Sequence, residues 1–113
     1  YFCEPGVLAP QRGAIEEAAR ALGCAVLYSA DRYLDILPPR TDKGRTLQAL
    51  AALLQLPVDR ILVAGDTLND LSMYEAGFSG VCVGQSEPAL LEATHRHEHV
   101  LHASEAGCGG ILQ

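Results

Sequence analysis

Ile61-Leu62-Val63-Ala64-Gly65-Asp66-Thr67-Leu68-Asn69-Asp70 is the stretch on which the fold turns. Its first four residues form an unbroken apolar run, which reads as a strand buried on both faces, as in a parallel sheet covered by helices. An acidic turn follows directly. In open α/β sheets the ligand site lies just beyond the carboxyl ends of the strands, so two carboxylates and a carboxamide emerging there are placed for chemistry. Oxygen donors of this kind suit a hard divalent cation; Mg2+ takes one or two carboxylates and leaves its other positions to water and phosphate. Gly65 lets the backbone turn tightly ahead of them. Thr67, Asn69 and Asp70 are also good caps for a following helix, and Asn69 or Asp70 can do both jobs. Capping leaves Asp66 unexplained, because a charge at the end of a buried strand is costly without a partner.

Outward from this stretch, helix and strand patterns alternate. A helix over 44–56 is expected upstream, with Leu47, Leu50, Ala51 and Leu54 on one face. Downstream the pattern gives a helix over 69–76 closed by Gly77, a strand at Val81-Cys82-Val83, and a helix through Leu90 and Leu91 that starts with Ser86 as cap and Pro88 in its first turn. A short strand near Val100-Leu101 and a Gly-rich segment over 107–110 complete it. This order predicts an α/β fold, a Rossmann-like doubly wound parallel sheet with helices on both faces. The first third of the chain differs. A helix from Pro10 carries Ile15, Ala18, Ala19 and Leu22 on one face and stops at Gly23; two strands, 25–28 and 33–37, then form a hairpin around Ser29-Ala30-Asp31-Arg32. Pro38-Pro39 ends the ladder, so residues 1–38 and 39–113 are expected to be separate domains.

Asp42-Lys43-Gly44 stands at the start of the helix before the acidic turn. A cation at a helix N-terminus opposes the macrodipole, so Lys43 is misplaced by some tenths of a kcal/mol unless it serves something else. If this helix starts near the sheet edge that carries Asp66, the ammonium reaches a bound phosphate and the free N–H groups of the first turn add to the attraction. Gly44 would allow close backbone approach. The bland alternative is a solvated lysine.

Composition narrows the function classes. A formal net charge of −6, with 8 Lys and Arg among 113 residues, argues against a nucleic-acid partner. A small anionic substrate needs only one or two local cations. No run approaches the ~20 apolar residues of a membrane span, and no basic-then-apolar leader opens the chain, so a soluble, cytoplasmic protein is expected. Cys3, Cys24, Cys82 and Cys108 form no C-x-x-C pair and read as small hydrophobes in a reduced compartment. The absence of an initiator Met and the end at Gln113 within an apolar run read as the bounds of a fragment.

Lys43-Gly44 on a helix and Gly65-Asp66-Thr67-Leu68-Asn69-Asp70 after the next strand together resemble the third and fourth motifs of haloacid dehalogenase (HAD) superfamily phosphatases. The G-D-x-x-N-D pattern, followed by Gly80-Val81-Cys82-Val83-Gly84, is similar to the class with a large α/β (C2B-type) cap inserted before the motif lysine. Tyr33-Leu34-Asp35-Ile36-Leu37-Pro38 and Ala106-Gly107-Cys108-Gly109-Gly110-Ile111-Leu112 look like the sucrose-phosphate phosphatase subgroup. The resemblance implies that residues 1–38 are the end of the cap and 39–113 the C-terminal half of the core. It further implies a Mg2+-dependent phosphatase that hydrolyses a phosphorylated sugar through an aspartyl-phosphate. Asp66 would coordinate Mg2+ directly, with Asn69 and Asp70 binding it through water or orienting its ligands, and Lys43, beside Gly44, would hold the phosphoryl group. Tyr28, Arg32 and Asp35 on the hairpin would face the sugar.

The chain departs from the family in lacking a D-x-D-x-T run, which supplies the nucleophile, and the Ser or Thr motif that precedes the cap. The fragment alone is therefore expected to be inactive and to bind Mg2+ poorly. The alternative is a non-catalytic domain of the same fold, fused to or partnering a glycosyltransferase. A phosphate-accepting receiver domain is a third reading, weakened because the strand-end aspartate belongs to the G-D-x-x-N-D pattern. His95, His97, His99 and His102 read as a solvated His-rich loop, Glu16 and Glu17 as a polar helix face, and Tyr1, Phe2 and Cys3 as the remnant of an earlier cap strand.

Overall fold

The computed structural model describes Cys3, Glu4 and residues 6–113 and divides the chain into two units, Tyr1–Asp42 and Lys43–Gln113. The division falls a little beyond Pro38-Pro39, at the first residue of the next helix. Tyr1 and Phe2, read as part of a strand, lie outside the described residues.

In the first unit a 3-10 turn (Ala9–Gln11) runs into helix α1 (Arg12–Ala21). Gly23 then takes a left-handed conformation, φ +74°, which lets the chain turn out of the helix. Strands β1 (Ala25–Ser29) and β2 (Tyr33–Leu37) pair antiparallel, with Ala25 opposite Leu37 and Ser29 opposite Tyr33. Ala30 and Asp31 at φ 52° and 53° form the left-handed pair that matches strand twist in tight hairpins. Ala19 and Leu34 are buried, but Leu22 is exposed, so the apolar face expected on α1 is fully covered only at Ala19.

The second unit contains α2 (Lys43–Leu53), a 3-10 turn (Val58–Arg60), β3 (Leu62–Gly65), a 3-10 turn (Leu68–Asp70), α3 (Leu71–Glu75), β4 (Ser79–Gly84), α4 (Pro88–Thr94), β5 (Val100–Ala106) and α5 (Cys108–Ile111). Its strands pair parallel in the order β3-β4-β5, the sheet expected of an α/β fold. Tyr74, Phe78, Cys82 and Leu90 are fully buried and cluster with Val63 and Val100. Each large apolar side chain buried this way contributes about 1.5–3 kcal/mol. Successive side chains of a strand point to opposite faces, and Val83, next to Cys82, meets α5 instead: a Cβ at Gly110 would lie 3.1 Å from that of Val83. Helices therefore cover both faces of β4.

Three elements differ from the sequence reading. β3 is an edge strand among the described residues, with Leu62 67% exposed and only Val63 buried; the strand with consecutive buried residues is β4, from Gly80 to Val83. Helix α2 ends at Leu53, short of 56, and buries Gly44 and Ala51 while Leu50 and Leu54 stay exposed. The Gly-rich segment winds into α5, against the intrinsic preference of glycine, because its backbone packs against β5: a Cβ at Gly110 would overlap the Glu105 carbonyl oxygen. All four cysteines are free, with Cys82 buried and Cys108 exposed. Among the described residues no helix is long and apolar enough to cross a membrane.

Candidate functional site

The loop leaving β3 is organised by one buried carboxylate. Asp70, 5% exposed, folds back so that Oδ2 accepts the backbone N–H groups of Asp66 (3.0 Å) and Thr67 (3.2 Å). The close approach requires Gly65, since a Cβ there would lie 2.5 Å from Asp70 Cβ and 2.7 Å from Oδ2. The other Asp70 oxygen, Oδ1, accepts from the Lys43 ammonium. Lys43 Nζ also donates to Asn69 Oδ1 at 2.8 Å, and Thr67 Oγ1 donates to the same oxygen at 2.9 Å. The sequence-predicted Lys43, Asn69 and Asp70 are thus brought into direct contact.

The lysine arrives there because α2 is fastened to α3. Gly44 N–H donates to Ser72 Oγ at 3.1 Å, and Gln48 Nε2 donates to the Ala76 carbonyl at 3.0 Å. Gly44 is buried, and a Cβ on it would stand 2.5 Å from the Ser72 carbonyl carbon and closer still to its oxygen. Lys43 is the first residue of α2, where the helix dipole disfavours a cation, and the ion pair with Asp70 offsets that cost.

From the other side the loop is held by the segment between β4 and α4. Glu87 N–H donates to the Asp66 carbonyl at 2.7 Å, and Glu87 Oε2 accepts the Leu68 N–H. Ser86 is buried and its Oγ donates to the Val83 carbonyl at 2.6 Å, with the Gly65 carbonyl at 3.4 Å. The residue at the N-cap of α4 is Glu87, not Ser86, with Pro88 in the first turn as expected. Ser72 and Glu87 escaped the sequence reading; the signal available was an acidic residue directly before a helix-starting proline.

Asp66 is left exposed at the end of β3, with no hydrogen bond to its carboxylate among the described residues. Beneath the loop, Tyr74 Oη donates to the Val81 carbonyl at 2.9 Å. Burial pushes the Tyr74 phenol well above its usual range, and Cys82, Asp70 and Asp66 push it the same way, so it stays protonated. Of the loop's side-chain oxygens, one carboxylate is open to a hard cation. Asp66 offers a carboxylate, whereas Asn69 Oδ1 already accepts two hydrogen bonds and both Asp70 oxygens are engaged. No group of three or more His, Cys, Asp or Glu able to hold a metal occurs among the described residues. Mg2+ takes only one or two carboxylates and retains several waters, so one open carboxylate is compatible with it.

The other candidates stand apart from this cluster. His99 Nε2 lies 3.0 Å from the Tyr74 carbonyl and His102 Nε2 lies 3.0 Å from Thr94 Oγ1, so each braces a neighbouring element. In the first unit Tyr28 Oη donates to Asp31 Oδ1 at 2.6 Å, with the Arg12 guanidinium 5.0 Å from its ring centroid. The hydrogen bond to Asp31, first of all, raises the Tyr28 pKa to about 12. Arg32 pairs with Glu4 at 3.9 Å, and Asp35 is exposed on β2.

A family model described as sucrose-6F-phosphate phosphohydrolase matches residues 1–113. The chain is 56% identical over its whole length to a glucosylglycerol-phosphate synthase of Pseudomonas anguilliseptica, spanning 15% of that protein. It is 36% identical, over 89% of its length, to a mannosylfructose-phosphate phosphatase of Agrobacterium fabrum, spanning 42% of it. Its fold matches the sucrose-phosphatase of Synechocystis sp. PCC6803, solved with sucrose and phosphate, at a TM-score of 0.81 and 27% identity; the match covers 99% of this chain and 48% of that one. The chain thus spans less than half the length of each of these relatives.

Proposed function

Because the chain belongs to the sucrose-6F-phosphate phosphohydrolase family, within the HAD superfamily, we propose that it carries the lysine and acidic-loop half of a Mg2+-dependent phosphatase acting on a phosphorylated glycoside. The observation that carries this reading is the pairing of Lys43 with Asp70 and Asn69 beside an Asp66 carboxylate that has no hydrogen-bond partner among the described residues. Two of the relatives are named for phosphorylated glycosides, glucosylglycerol-phosphate and mannosylfructose-phosphate, and the third was solved with sucrose and phosphate, which supports the substrate class.

The division of labour follows from the hydrogen bonds. An ammonium has three N–H donors; two of those on Lys43 are taken, and its side chain is half exposed, so the third is available to a phosphoryl oxygen. Asp70 and Asn69 keep the ammonium from swinging away, and charge placed in advance stabilises a phosphoryl transition state without reorganisation. Asp66 would hold Mg2+, with Asn69 and Asp70 reaching it through water. The metal supplies charge neutralisation at the phosphoryl oxygens when bound. In this reading Tyr1–Asp42 is the end of a cap and Lys43–Gln113 the C-terminal half of the core. The attacking aspartate, which would form an aspartyl-phosphate, comes from outside these residues. The test is phosphate release from a panel of phosphorylated glycosides by the full-length protein, with and without Mg2+. Release that requires Mg2+ and is absent from the 113-residue chain alone is expected; silence toward every ester would refute the reading.

The likeness to a glucosylglycerol-phosphate synthase favours one second reading, a non-catalytic domain attached to or partnering a glycosyltransferase. A full-length protein that forms the glycosidic bond yet leaves the phosphate in place would favour it.

A further inference from the structure

We propose that Glu87 is a positioning residue for the Asp66 carboxylate, acting through both its backbone and its side chain. Glu87 is a poor choice for capping, a role that favours Ser, Thr, Asp and Asn. Its side chain makes no cap hydrogen bond to α4 and reaches instead to Leu68 N–H, a residue 19 positions earlier. Its own N–H donates to the Asp66 carbonyl at 2.7 Å. The two contacts fall on either side of Thr67, so Glu87 straps the turn across its span. Asp70 holds the same turn from below, through the N–H groups of Asp66 and Thr67.

Asp66 is consequently fixed at both ends of its backbone, N–H by Asp70 and C=O by Glu87, while its carboxylate stays without a hydrogen bond among the described residues. Only its side-chain torsions remain free. The strap itself is anchored: Ser86 is buried and bonded to the Val83 carbonyl, and Gln85 sits at φ +66°, a strained conformation for a residue with a side chain. Such strain persists where surrounding contacts over-determine the backbone. Groups that orient a metal ligand in this way typically change metal affinity or activity about 10–100-fold when removed.

The inference rests on the reading of Asp66 as a metal ligand, and the experiment separates the two. In the full-length protein, Glu87→Ala, Glu87→Gln and wild type are compared by Mn2+ binding, by the Mg2+ dependence of phosphate release, and by hydrogen exchange of the Leu68 amide. Glu87→Ala is expected to weaken Mn2+ binding and raise the Mg2+ concentration for half-maximal activity about 10-fold, with KM for the phosphate ester at saturating Mg2+ unchanged. Glu87→Gln, whose carboxamide oxygen accepts the same N–H, should recover to within about threefold of wild type. Equal impairment of the two variants, or unchanged Mn2+ affinity in Glu87→Ala, overturns the proposal. If Glu87→Ala does not fold, Glu87→Gln and the wild-type Leu68 amide decide: slow exchange and retained affinity support the strap, fast exchange refutes it. A wild-type protein without Mg2+-dependent phosphatase activity sinks the functional reading alone, since Leu68 exchange still reports on Glu87.

Discussion

Replacing Gly44 by Ala should destabilise the second unit, although helix propensity argues the opposite. Ala is about 1 kcal/mol better than Gly inside a helix, and Gly44 lies in α2. The new methyl, however, would stand 2.5 Å from the Ser72 carbonyl carbon and 3.1 Å from Ala76 Cβ, and the carbonyl belongs to a packed helix that cannot step aside. Overpacking of this kind costs about 1–3 kcal/mol, and displacement of α2 also breaks the Gly44 N–H bond to Ser72 Oγ, a loss of about 1 kcal/mol. The net expectation is a loss of about 2 kcal/mol, and Lys43 is carried away from Asp70 in the process. Gly13 provides the control: it lies in α1, and a methyl added there would meet nothing within 4 Å, so Gly13→Ala should stabilise α1 by roughly 0.5–1 kcal/mol. Hydrogen exchange measured separately on α1 and α2 peptides resolves both effects. Greater protection of α2 in Gly44→Ala would refute the claim that close helix contact outweighs propensity.

The remaining expectations concern single charges. Lys43→Ala should lower kcat of the full-length protein by about 10²–10³, with Lys43→Arg failing to rescue, because a planar guanidinium does not replace a compact ammonium; steady-state kinetics would show it, and an active Arg variant would count against the placement. Asp66→Asn should abolish Mg2+-dependent turnover while shifting the metal-free unfolding free energy by less than about 0.5 kcal/mol, as expected of an exposed side chain with no hydrogen bond among the described residues; a larger loss in urea unfolding would assign it a structural role. Tyr28, raised from 10.0 to about 12 chiefly by donating to Asp31, should ionise nearer 10 in Asp31→Ala, read as phenolate absorbance. A raised folded-state pKa means that its contribution to stability is full below pH 10 and fades as pH climbs through 12.

Much of the site was legible because local rules converge there. The acidic turn follows an apolar run, and the rule for parallel sheets places such a turn at the ligand edge. Lys43 stood out as a cation at the wrong end of a helix, and its partner in space is the carboxylate four residues past Asp66. Glu87 was not legible, because its role depends on β3 and β4 lying side by side, which no local pattern encodes. The apolar runs of β3 and α2 misled for a related reason. Such runs state that Leu62, Leu50 and Leu54 are fit for burial, not which segment covers them. Gly109 and Gly110 in α5 show the reverse case, poor helix formers wound into a helix by close contact with β5.

The outer edge of β3, unpaired among the described residues, also bears on how the 113-residue chain behaves on its own. A strand with one unpaired side offers a row of N–H and C=O groups that accept any further strand, and Leu62 beside that row makes the added contact adhesive. For the 113-residue chain on its own the expected consequence is self-association, with copies stacking edge to edge. Natural sequences forestall this with a charged gatekeeper at such positions. Leu62→Lys would install one on a side chain that already points into water, leaving Val63 to hold the strand against the core.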